Sequence, residues 1–93
     1  MNKKIIVISA LWCPSCLILK KHIKKLKNDY KDLIIKTLDY DFDEIEEYKV
    51  GNILPVIISY IDDKEKDRLI GEKTYEEIIE FLERSNILWK RNY

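Results

Sequence analysis

A β-branched apolar run, Ile5 to Ala10, ends at a Cys-Pro turn and passes straight into a stretch whose apolar positions recur every three or four residues. No other feature restricts the fold as much. The run fits a strand covered on both faces. Beyond the turn, Cys16, Leu19, Ile23, Leu26 and Tyr30 fall on one side of a helix, and Lys20, Lys21, Lys24, Lys25 and Lys27 fill the rest. Pro14 and Ser15 suit a first helical turn, where the missing proline N–H has no partner to lose. A strand therefore hands over to a helix at Cys13.

The remaining punctuation extends this pattern. Leu33 to Leu38 reads as a second buried strand, which makes a parallel pair with a right-handed crossover. Asp43 and Glu46 have capping-box spacing for a short helix to about Lys49, ended by Gly51-Asn52. Val56 to Ile61 is a third strand, opening directly after Pro55. A polar link, Asp62 to Lys66, leads to a short fourth strand at Arg68 to Ile70 as a hairpin. Gly71 breaks the chain, Thr74 and Glu77 form a second capping box, and Tyr75, Ile78, Ile79 and Leu82 make a second helical stripe. Ile87 to Tyr93 carries apolar side chains without periodicity and receives no element. The order is βαβαββα, an α/β fold, and 93 residues make one domain spanning 1–93 because a second core would leave both halves too small.

Charge narrows the function. Seventeen basic and seventeen acidic side chains cancel, which leaves no basic footprint for nucleic acid or an anionic membrane surface. The acidic run from Asp39 to Glu47 reads as a solvated face. No stretch has the 18 or so apolar residues of a membrane span. Asn2-Lys3-Lys4 before an apolar run has the start of a secretory signal, but no small-residue cleavage site follows, so the run is expected to stay as a strand in a cytoplasmic, monomeric protein.

Two cysteines three positions apart would staple the chain weakly, because a bridge closing so short a loop restrains little of the unfolded state. Their position suits chemistry instead. At a helix start Cys13 faces unpaired amides and the positive end of the dipole, which favours thiolate over thiol. A thiolate attacks disulfides, and Cys16, one turn on, can attack the resulting mixed disulfide. Zinc needs four ligands, and His22 on the same helix cannot complete a set, so neither a metal within the chain nor a cofactor is expected. A metal or iron–sulfur cluster shared by two chains stays open.

Trp12-Cys13-Pro14-Ser15-Cys16 at a strand-to-helix junction, with Ile53-Leu54-Pro55-Val56 and with Gly71, Thr74, Phe81 and Leu82 at matching spacings, resembles the thioredoxin–glutaredoxin superfamily along essentially the whole chain. The resemblance implies a thioredoxin fold with a four-stranded mixed sheet flanked by helices, and dithiol exchange on disulfide-containing proteins. It further implies recharging by a thioredoxin reductase or by glutathione. It puts Trp12, Pro14, Leu54 and Pro55 at the substrate surface, with a cis bond before Pro55. Two positions depart from the pattern and a third keeps it. Gly71 is followed by Glu72 where glutathione binders have a second glycine. Val7 replaces a buried aspartate six residues before the first cysteine. Lys36 corresponds to the lysine facing that aspartate and becomes a candidate for auxiliary proton transfer. The alternatives are a glutathione-dependent glutaredoxin and a thioredoxin-fold binding module with little catalysis.

Overall fold

The computed structural model describes residues 2–89. Its elements are β1 (Lys3–Ser9), α1 (Pro14–Asp29), β2 (Ile34–Asp39), a single 3-10 turn (Glu46–Tyr48), β3 (Val56–Ile61), β4 (Lys64–Ile70) and α2 (Tyr75–Arg84). The four strands form one mixed sheet in the order β2-β1-β3-β4. β1 and β2 run parallel, with Val7 beside Thr37 and Ile6 beside Lys36. β1 pairs antiparallel with β3, and β3 with β4. Among the described residues no helix is long and apolar enough to cross a membrane.

Alternation along β1 and β3 splits the core. Ile5, Val7 and Ile57 face α1 and α2, where Leu19, Ile23, Leu26, Ile78, Phe81 and Leu82 cover them. Ile6, Ile8, Val56 and Ile58 face the other way, against side chains from the β2–β3 connection such as Tyr40, Ile45, Tyr48 and Val50. Both faces of β1 and β3 are thus buried, as their apolar runs required. Ile87 tucks into the helical side of the core, and Trp89 stands almost fully exposed. Residues 90–93 of the unassigned tail lie outside the described residues.

The second strand departs from expectation. It runs Ile34–Asp39, one residue later, with half of its residues exposed and the other half only partly buried. Strand order is the cause: among the described residues β2 is an outer strand with no neighbour beyond it, and Ile34 is open to solvent. The hairpin is tighter than the polar link suggested. Asp62 and Asp63 alone form the turn, both with positive φ (52° and 64°), and β4 begins at Lys64. Aspartate tolerates the left-handed region, and two such residues match the strand twist.

The first capping box does not form. Asp43 Oδ2 instead accepts the Asp39 N–H at 2.7 Å, and Asp39 Oδ1 accepts the N–H groups of Asp41 and Phe42. Short acidic side chains bonding local backbone compete with a helix, so only a 3-10 turn survives. It ends on Lys49 in the left-handed region and not at Gly51. The second box does form: Glu77 N–H donates to Thr74 Oγ1 and Thr74 N–H donates to Glu77 Oε1. The latter bond holds the Glu77 carboxyl below the usual carboxylate range. Thr74→Ala is expected to cost about 1 kcal/mol of stability, read as a lower urea midpoint at unchanged slope.

Candidate active site

The site lies where β1 gives way to α1. Cys13 caps the helix with extended backbone, and its carbonyl accepts the N–H groups of Cys16 and Leu17 at 3.1 and 3.4 Å. Its sulfur accepts the Cys16 N–H at 3.3 Å, one of the amides a helix start leaves unpaired. Cys16 sits one turn on, on the inner side of α1. Both are free thiols. The pair shares a buried cluster with Ala10, Leu54 and Val56. Chain segments about forty residues apart thus converge on two sulfurs.

Exposure does not separate the cysteines. They are 5% and 6% exposed, so Cys13 is as covered as Cys16. What separates them is the environment of each sulfur. Cys13 faces the helix-start amide, whereas burial pushes the Cys16 thiol up to about 11. A hydrogen bond and the charge of Cys13 add to that rise, and a hydrogen bond with the Ala10 backbone opposes it.

Trp12 is exposed on the rim, with its Nε1 donating to Asp41 Oδ2 at 2.7 Å and its ring edge-on to Tyr40 at 6.2 Å. Pro14 is exposed at the first position of α1. Leu54 and Pro55 are buried, joined by a cis bond, with Leu54 in the cysteine cluster. The Pro55 carbonyl accepts the Gly71 N–H at 2.8 Å. Gly71 needs its φ of +91°, which side chains rarely adopt, to turn the chain from β4 toward α2 beside Ile53.

Lys36 does not join the pair. It lies on β2 beside Ile6, on the sheet face away from Val7, and is exposed. Side chains alternate along a strand, so the residue facing Val7 from β2 is Thr37. Neither position carries a titratable group. His22 packs 6.0 Å from the Tyr75 ring on the α2 side of the helix, and among the described residues no group of three or more metal-ligating side chains forms.

Three residues that sequence reasoning missed shape the site. Glu72 Oε1 accepts the Ser15 hydroxyl at 2.9 Å, tying the cysteine loop to the β4–α2 connection. Asp41 anchors Trp12. Arg68 pairs with Glu65 through two nitrogens and donates from Nη2 to the Tyr48 carbonyl at 2.9 Å, which pins the β2–β3 connection that delivers Leu54 and Pro55. These partners lie 57, 29 and 20 residues apart, and no local pattern announces them.

Comparison with known proteins agrees with this geometry. The sequence model of the family described as Thioredoxin matches residues 1–84. A search of the curated proteins returns no match. Among solved structures, a malarial protein superposes with a TM-score of 0.81 at 20% identity, covering 91% of this chain and 98% of that one. A Fasciola hepatica thioredoxin gives 0.81 at 21% identity, over 90% of this chain and 81% of that one. A chain from a complex of ferredoxin:thioredoxin reductase with thioredoxin f2 gives 0.80 at 21% identity, over 91% and 78%. With its family match, its four-stranded mixed sheet and its Cys13-Pro14-Ser15-Cys16 pair at a helix start, the chain belongs to the thioredoxin family, whose general chemistry is thiol–disulfide exchange.

Proposed function

We propose that this chain reduces protein disulfides by dithiol exchange, with Cys13 attacking and Cys16 resolving. The supporting observation is the Cys13 sulfur at the α1 start, accepting the Cys16 N–H, with the second thiol one turn away. In the first step the Cys13 thiolate bonds one substrate sulfur and the other leaves as a thiolate, which takes up a proton. In the second, deprotonated Cys16 attacks Cys13, closes a Cys13–Cys16 disulfide and releases the remaining substrate thiolate. The substrate gains two electrons and the pair loses two. Trp12 and Pro14 offer an apolar rim for the incoming chain, and Leu54 and Pro55 line its approach to the sulfurs. A monomer suffices for this cycle, and a reducing compartment such as the cytoplasm suits it.

A reductase restores the pair in this reading. The thioredoxin f2 complex with ferredoxin:thioredoxin reductase supports a donor of that kind. Glutathione is the second candidate donor, and Glu72 counts against it by setting a carboxylate, bonded to Ser15, beside the cysteine loop. Glutathione is itself a net anion, so like charges meet there. The test gives the pure protein a disulfide substrate and compares recharging by thioredoxin reductase with recharging by glutathione. Faster cycling with the reductase is expected. Cycling with glutathione alone would assign the second donor.

The reduction potential is expected to fall at roughly −270 to −200 mV, between reducing thioredoxins and glutaredoxins. Pro14 and Ser15 bring no cation to the thiolate, and the Ser15 partner is a carboxylate. Equilibration with a glutathione buffer reads the value. A result above about −150 mV, near disulfide-forming enzymes, would contradict it.

A further inference from the structure

The two flanks of α1 meet different surroundings. On one flank Lys25 Nζ lies 4.5 Å from the Tyr75 ring centroid, His22 packs on the same ring, and the Tyr75 hydroxyl donates to Asp29, so α2 closes that side. The other flank overhangs β2, the last strand on that side of the sheet. Beneath the overhang is a cleft of about 380 Å³, within the range of roughly 300–1,000 Å³ typical of small-molecule sites. Val7, Leu19 and Ile23 give it an apolar floor, with Thr37 on its outer wall.

Along α1 its rim carries positive charge. Lys20, Lys24 and Lys27 are spaced four and three apart, which stacks them along one helical flank over the cleft. All three are exposed, and none has an ion-pair partner among the described residues. Like charges at this spacing repel one another, and an anion seated among them would relieve that. The opposite end of the cleft, near the start of α1, holds Leu17, Cys16 and Asp39. The Asp39 carboxylate already accepts two backbone N–H groups of its own loop, and it would repel an anionic head from that end. An apolar trench with cations toward one end and a carboxylate at the other specifies both the class and the direction of a ligand.

We propose that the cleft between α1 and β2 binds a medium-chain alkyl carboxylate, its head at Lys24 and Lys27 and its chain running over Ile23, Leu19 and Val7 toward Cys16. The site stands independently of the redox reading. The end of the chain would cover the Cys16 side of the cleft, so a bound carboxylate shields that thiol.

Calorimetric titration of the full chain with decanoate, kept below its micelle concentration, tests this, with decyltrimethylammonium as the reversed-charge control. Saturable one-to-one binding is expected, at least about tenfold tighter for decanoate than for the cation, and weakened by salt. The double variant Lys24→Glu, Lys27→Glu alters exposed residues and should keep its circular dichroism while losing at least about tenfold in decanoate affinity. Amide resonances of Val7, Leu19 and Thr37 should shift, and saturation should slow iodoacetamide labelling of Cys16 in the Cys13→Ser chain several-fold. No saturable binding, equal affinity for the two amphiphiles, an unchanged double variant, or shifts confined to other surfaces would each overturn the proposal.

Discussion

Cys13→Ser is expected to abolish disulfide reduction, while Cys16→Ser should still react once and then stop as a stable mixed disulfide with its substrate. The two sulfurs are equally buried, so the asymmetry comes from their electrostatic surroundings. The Cys13 sulfur faces the Cys16 amide, a donor that stabilises developing negative charge. A hydroxyl at position 13 stays protonated near neutrality and cannot replace the thiolate. A hydroxyl at position 16 leaves the first attack in place and removes only the second. Intact-mass measurement after mixing with a disulfide-linked protein would show the Cys16→Ser adduct and no adduct with Cys13→Ser. The reverse pattern would exchange the two roles.

The second step should set the pace of the wild-type cycle and quicken with pH. Burial is the largest reason the Cys16 thiol titrates near 11 instead of 9.0. At that value only about one molecule in ten thousand carries the thiolate at pH 7. In the mixed disulfide Cys13 has no thiol, so its hydrogen-bond and charge contributions vanish and burial remains. The thiol therefore still titrates above its ordinary value, and the rate should rise by up to about tenfold per pH unit from pH 6 to 9. The same shift bears on stability. A thiol whose folded pKa is raised contributes stability below its unfolded value and loses it as pH climbs, so reduced protein should weaken between about pH 9 and 11. Thr37 and Val7 offer no proton acceptor, and the Asp39 carboxylate at the same end of the cleft as Cys16 already accepts the Asp41 and Phe42 N–H groups. Val7→Asp would supply one and speed the step at neutral pH, at a cost of several kcal/mol for a carboxylate buried without a partner. Stopped-flow records of both steps decide the matter, and a fast, pH-independent second step would contradict it.

The parts of this architecture that were legible in the sequence are those fixed by local chemistry. Val56–Ile61 opens after Pro55 and stops where polar residues begin at Asp62, and its β-branched run admits no other reading. Thr74 and Glu77 mark the α2 start because both bonds of the box are local. The Cys13 turn is legible for the same reason, since proline, cysteine and a helical stripe occur together. The β2–β3 connection was not, because the Asp43 carboxylate that would have capped a helix reaches back to the Asp39 N–H instead. Nor was the exposure of β2, which depends on strand order. The assignment of Lys36 failed by one residue of register, enough to move a side chain to the opposite face. Asp41, Arg68 and Glu72 act across the fold, and only assembled strands bring them to Trp12, Tyr48 and Ser15.

The central claim is that Cys13 and Cys16 are a reversible two-electron couple. Its most direct test is one turnover: reduced protein is mixed with a protein disulfide in slight excess, quenched with an alkylating agent, and mapped by mass. The account predicts that the peptide containing Cys13 and Cys16 loses two hydrogens and escapes alkylation, in step with one substrate disulfide opened. Substrate reduced while both cysteines stay alkylatable, or no substrate reduced at all, would contradict it.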